Sequence, residues 1–169
     1  SLLANLSACD FGYITPTQFI ERTRNTFNTL MKMERYNGHF YNWYDTETLL
    51  PLQPRYVSTV DSGNLAGHLL VLRQGLLTVP HRKIIDVKLF EGIRDTFRVL
   101  TDEIIEHNVD LREQFDIDID TICITSTRSL YEIHKHYDEL LQKLNPLVEN
   151  KLDDPNSEIY RWKQMLMEQ

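Results

Sequence analysis

Long apolar runs are missing from this chain. No stretch approaches the roughly 18 consecutive apolar residues of a membrane-spanning helix, and no secretory leader pattern is visible. Cysteine is scarce: Cys9 and Cys123 lie far apart, each in a partly apolar run, and read as two buried thiols of a reducing compartment rather than as a disulfide. Positive charge is outnumbered, 18 Lys and Arg against 25 Asp and Glu. The resulting net charge of −7 argues against nucleic acid or an anionic membrane as the main partner. There is no glycine-rich phosphate loop, no nucleotide-binding fingerprint, and no Ser, His and Asp set in a motif context. What is present is an ordinary globular composition, 41% hydrophobic and 25% charged, over 169 residues, about the length of one domain. At that size a core buries roughly 70% of the unfolded surface and needs no covalent staple.

Apolar periodicity predicts a mostly helical chain. A short helix is expected from Leu2 to Cys9, with Leu2, Leu3, Leu6 and Cys9 on one face, then a turn at Gly12. The chain opens inside that periodic segment with no cap before it, which reads as a fragment of a longer protein. Thr15-Pro16-Thr17-Gln18 reads as a capped helix start, with Thr15 the cap and Pro16 at the first helical position. That helix is expected to reach about Arg35 on a stripe of Phe19, Ile20, Phe27, Leu30 and Met31, with Asn37-Gly38 ending it. Asp61 or Ser62 is expected to cap a helix from Gly63 to about Gly75, with Leu65, Leu69 and Leu72 inward. Pro80 punctuates. Asp86 then caps a helix from Val87 to about His107, with Leu89, Ile93, Phe97, Leu100 and Ile104 at helical spacing. An acidic loop to Asp120, a long helix from Ile122 to about Asn145 and a last helix capped by Asn156 or Ser157 complete the reading. The fold class is all-α, built of successive antiparallel helix pairs with one substantial loop.

Two patterns suggest metal and fail. Asp116-Ile117-Asp118-Ile119-Asp120 begins like a calcium loop, but Thr121 stands where that loop needs glycine. It reads better as a solvated acidic loop. His134 and His136 are two residues apart and do not share a helix face, so no metal site is expected there.

The informative stretch is GHFYNWYDTETLLPLQPRYVSTVDSGNLAGHL, Gly38 to Leu69. Pro51 and Pro54 exclude a helix or central strand in its middle. The segments HFYNWYD and LLPLQPRYVS read as short extended arms, with Asp45-Thr46-Glu47 turning between them. Rings beside carboxylates, amides and an arginine suit a sugar-binding cleft: pyranose C–H faces pack on Trp and Tyr, and hydroxyls need polar partners. Rings that plug the core beneath a loop are the competing reading. If residues 39–44 are extended, Phe40, Asn42 and Tyr44 share one face, and His39, Tyr41 and Trp43 share the other.

The same stretch, with SLLANLSACDFGYIT and ERYNGHFYNWYDT, resembles the cyclic β-1,2-glucan synthases of bacteria, strongly over about residues 1–75. Those are large inner-membrane proteins with a UDP-glucose-dependent glycosyltransferase, a cyclising transglycosylase domain of (α/α) toroid fold and a phosphorylase-like domain. The resemblance implies that residues 1–169 are one fragment opening the toroid domain, soluble and on the cytoplasmic side, with a rim loop over residues 38–62. It implies Trp43, Tyr44, Asp45, Arg55, Tyr56, Asp61 and Asn64 as glucan contacts. Asp45 and Asp61 are weak catalytic candidates, since retaining transfer needs two carboxyl groups about 5–5.5 Å apart and the main catalytic pair is expected beyond Gln169. No cofactor is expected in the fragment itself, nor activity in isolation. Its expected partners are β-1,2-glucan, the remaining domains of the parent chain and, through the apolar seam of a half toroid, a second copy of itself. A helical scaffold without sugar contact is the alternative.

Overall fold

The computed structural model describes residues 2–83, 86–104 and 109–125, together with residues 131, 135, 138, 139, 142, 160 and 164. The described residues are mostly helical: α1 (Leu2–Asp10), α2 (Pro16–Lys32), a β-hairpin of β1 (Arg35–Tyr36) and β2 (His39–Phe40), α3 (Thr59–Thr78), a 3-10 turn (Val79–His81), α4 (Val87–Ile104) and α5 (Val109–Thr125). None of the described helices is long and apolar enough to cross a membrane. The chain divides into two compact units, Ser1–Cys9 with Pro16–Arg82, and Asp10–Thr15 with Lys83–Gln169.

In the first unit, α1 buries Leu2, Leu6 and Cys9, the face its spacing predicts, with Leu3 half-buried. Leu6 lies so close to α3 that a Cβ on Gly75 would fall 2.5 Å from its Cδ1, so a glycine at 75 is what admits the leucine. The stripe expected of α2 is only partly inward. Phe19 and Thr23 are buried and Leu30 is half-buried, whereas Ile20, Phe27 and Met31 form an exposed apolar line one step around the helix. α2 also stops at Lys32, short of Arg35. Asn37 and Gly38 do not end it: both have positive φ, 47° and 87°, and they turn β1 into β2 with Arg35 opposite Phe40 and Tyr36 opposite His39. Two successive left-handed residues are what a two-residue hairpin requires, and Asn-Gly supplies them at low cost.

α3 starts four residues earlier than expected. Its cap is Ser58, whose side chain accepts from the Asp61 N–H at 3.1 Å, while Asp61 sits in the first turn, where a carboxylate favours the helix dipole. Leu72 is buried, and Leu65 and Leu69 are half-buried, on the expected face. Val60, Leu70, Val71 and Leu77 on other sides of the helix are exposed.

In the second unit, Asp86 starts α4 as predicted: its carboxylate accepts from the Val87 N–H at 2.7 Å and its carbonyl from the Leu89 N–H at 3.0 Å. Ile93 and Phe97 are buried, with Phe90 and Thr96 beside them. The expected acidic loop is instead helix, the body of α5. Asp116 and Asp120, one turn apart, take Arg94 and Arg98 of α4: Arg98 meets Asp116 at 2.8 Å and Arg94 pairs with both carboxylates. The crossed numbering of these pairs makes α4 and α5 antiparallel. Phe97 and Phe115 stack between them with centroids 3.7 Å apart. Gly12, at φ 78°, lies against α4 so closely that a Cβ there would fall 1.8 Å from the Lys88 carbonyl oxygen. The helix expected beyond Thr125, the one expected after Asn156 or Ser157, and His134 and His136 lie largely or wholly outside the described residues.

Candidate functional site

Between α2 and α3 the chain runs through 26 residues from Met33 to Ser58 with little regular structure. Backbone groups in such a segment need partners that helices would otherwise provide. They find them across two arms. The Asn42 N–H donates to the Tyr56 carbonyl at 2.8 Å, the Leu52 N–H to the Trp43 carbonyl at 3.0 Å and the Asp45 N–H to the Leu50 carbonyl at 2.9 Å. Tyr44 and Pro51 form an antiparallel bridge. The extended arms expected from the sequence are therefore present, and they pair with each other.

The turn joining them is organised by Asp45. Its Oδ1 accepts from the Thr48 N–H at 2.7 Å, the Thr48 hydroxyl at 2.8 Å and the Glu47 N–H at 3.1 Å. These bonds, the Thr48 backbone donor first, favour the ionised form and hold the carboxyl below its ordinary value of 3.8. Asp45 is thus a turn-capping carboxylate, an environment opposite to that of a general acid, which needs a raised value.

Beneath the outgoing arm lies a cleft of about 770 Å³, within the range of small-molecule sites. Its apolar lining comes from Leu30 and Met33 after the α2 stripe and from Leu65 and Leu69 of α3. Phe40, Tyr41 and Tyr44 bring rings to it, and His39, Asn42, Asp61 and Ser62 bring polar groups.

Of the seven expected contacts, Tyr44 and Asp61 line this cleft. Trp43 and Tyr56 do not. They stack on each other outside it, centroids 6.3 Å apart at 30°, and are 52% and 54% exposed. Arg55 pairs with Glu34 at 2.8 Å, its guanidinium 5.6 Å above the Tyr41 ring. Asn64 is exposed on α3 away from the cleft lining. His39, Phe40, Tyr41, Asn42 and Ser62 were not among the expected contacts. The period-two reading of residues 39–44 does not sort the lining: Phe40, Asn42 and Tyr44 line the cleft, but so do His39 and Tyr41 of the other face, and Trp43 alone of the six stays outside it. No three His, Cys, Asp or Glu side chains among the described residues gather as a metal site.

No protein-family model matches the chain. Over 71 residues, 42% of its length, it is 51% identical to the cyclic β-(1,2)-glucan synthase NdvB of Rhizobium meliloti (strain 1021). The chain is related to that synthase. The match spans 2% of the synthase's own length, so the matched stretch corresponds to a small part of a far longer protein. By its name the relative produces a cyclic glucan of β-1,2-linked glucose.

Proposed function

We propose that this chain is a segment of a cyclic β-1,2-glucan synthase and that its cleft holds a stretch of β-1,2-linked glucan. The observation that carries the proposal is the cleft lining in a chain related to such a synthase: the Phe40, Tyr41 and Tyr44 rings beside Asn42, Asp61, Ser62 and His39. A pyranose presents C–H faces to rings and hydroxyls to amides and carboxylates, and both kinds of partner line the same cavity. In this reading the segment belongs to the cyclising, (α/α) toroid part of the parent. It sits on the cytoplasmic side of an inner-membrane protein that uses UDP-glucose elsewhere in its chain. Asp61 contacts glucan, Asp45 shapes the turn, and the segment alone turns over no substrate.

Calorimetric titration with linear β-1,2-gluco-oligosaccharides tests this. Saturable binding is expected in the wild type, weakened roughly tenfold in Asn42→Ala, the loss of one or two hydrogen bonds to sugar. The backbone bond of Asn42 survives that substitution, so its effect reports on the side chain. Absence of heat up to millimolar sugar sinks the reading.

A second reading has its own support. The exposed apolar residues of α2 (Ile20, Phe27, Met31) and of α3 (Val60, Leu70, Val71, Leu77) suit an interdomain segment covered by the rest of the parent or by a second copy. It predicts self-association in sedimentation velocity that Leu70→Asp abolishes; a monomer at all concentrations counts against it.

A further inference from the structure

We infer that Glu34, four residues outside the aromatic-rich stretch, is a positioning residue that holds the ring-bearing wall of the cleft in place. The inference rests on the glucan reading only for what the wall is used for. Glu34 falls between the end of α2 and β1, and it is tied at both ends of its own structure. Its carbonyl accepts from the Tyr44 hydroxyl at 2.7 Å, and that hydroxyl in turn accepts from the Tyr41 N–H at 2.8 Å. Its carboxylate accepts from Arg55 at 2.8 Å. One residue therefore holds the outgoing arm, through Tyr44 and Tyr41, and the returning arm, through Arg55. The Arg55 guanidinium also lies over the Tyr41 ring, so the ion pair sets the height of the cation above that face.

Glu34 and Arg55 are absent from the cleft lining, whereas Tyr41 and Tyr44 belong to it. The ion pair reaches the cleft through Tyr41, over whose ring Arg55 lies, whereas Tyr44 is held by the Glu34 main-chain carbonyl. The pair is also half-exposed, 47% and 44% for the two side chains. Exposed pairs contribute little to global stability. A role confined to ring placement therefore predicts a local signature: altered protection and affinity, with an almost unchanged unfolding midpoint.

The test uses the wild-type chain, Glu34→Ala, Arg55→Ala and the double variant. The first arm needs no sugar. Amide exchange at Tyr41 is expected to quicken in both single variants and no further in the double variant, while the thermal midpoint stays within about 2 °C of wild type. The second arm measures Kd for linear β-1,2-gluco-oligosaccharides. Each single variant is expected to bind roughly threefold more weakly and the double variant no worse than either, the non-additivity of residues acting as a unit. Unchanged Tyr41 exchange in Glu34→Ala overturns the inference, and so do additive losses of affinity. If no protein binds sugar, wild type included, while the exchange pattern appears as expected, the positioning role stands and the glucan reading falls.

Discussion

Replacing Tyr44 with phenylalanine removes one oxygen and leaves the ring. That oxygen carries two bonds at once, donating to the Glu34 carbonyl at 2.7 Å and accepting from the Tyr41 N–H at 2.8 Å. The two orphaned groups differ in what water can do for them. The Glu34 carbonyl belongs to an exposed residue, so solvent replaces its lost donor and the net cost is about 0.5–1 kcal/mol. The Tyr41 amide is part-buried and left with less access to water, at about 1–2 kcal/mol. Together they predict a destabilisation of about 2 kcal/mol, or roughly 4–8 °C in Tm for a chain of this length. Urea unfolding followed by circular dichroism gives the free energy, and amide exchange shows whether Tyr41 is the group released. A loss under about 0.5 kcal/mol refutes the reasoning, because water then substitutes for the hydroxyl and Tyr44 ties nothing. So does a full loss with Tyr41 protection intact, because the energy then comes from elsewhere.

Gly92→Ala is expected to destabilise by about 1–3 kcal/mol even though alanine is the better helix former, because overpacking outweighs propensity. Its Cβ would fall 2.3 Å from the Gly12 carbonyl oxygen and 2.4 Å from its carbon, backbone atoms that cannot swing aside. A raised Tm in a thermal scan refutes the close approach. Asp45 supplies a pH test. Its folded carboxyl lies below its ordinary 3.8 because the Thr48 and Glu47 donors favour the ionised form. The stabilisation it lends the turn is therefore present above 3.8 and is lost as pH falls through the lower folded value. Trp43 fluorescence of the wild type is expected to change in that acid range, and Asp45→Ala to show the altered signal already at neutral pH. Superimposable acid profiles for the two proteins count against Asp45 as the turn's organiser.

The parts of the fold legible in the sequence are those decided locally. The Leu2, Leu6, Cys9 face, the Asp86 start of α4 and the paired arms about Asp45 each follow from spacing or from one side chain's own bonding. The misread parts are those in which two local rules compete. Asn37-Gly38 satisfies both a helix end and a type I′ turn, since each wants positive φ, and only the pairing of Arg35 with Phe40 decides between them. Ser58 and Asp61 form a helix-start pattern, but Asp61 and Ser62 offered a later one. Residues 116–120 read as a solvated loop because their carboxylates began like a calcium loop that Thr121 then broke. In the fold Arg94 and Arg98 of α4 neutralise Asp116 and Asp120, and a helix is tolerated.

The density of polar groups in the aromatic stretch has a physical origin that sequence alone leaves open. Some 26 residues between two helices have only the short β1–β2 ladder, and beyond it their side chains supply many of the bonds. Asp45 caps the turn, Tyr44 joins the first arm to Glu34, and Arg55 joins the second to the same residue. Three of the seven residues expected to meet glucan thus have their polar atoms engaged in internal bonds. The Tyr44 ring still lines the cleft, so such a residue offers a ligand its flat face rather than its hydroxyl. On the proposed glucan reading, hydrogen bonding to a sugar falls to Asn42, Asp61 and His39, since the Ser62 hydroxyl donates to the Ser58 carbonyl at 2.8 Å, while Tyr41, Tyr44 and Phe40 supply surface. A stretch that builds its own scaffold from one set of polar groups and faces a cleft with another needs both sets, and so it is rich in them.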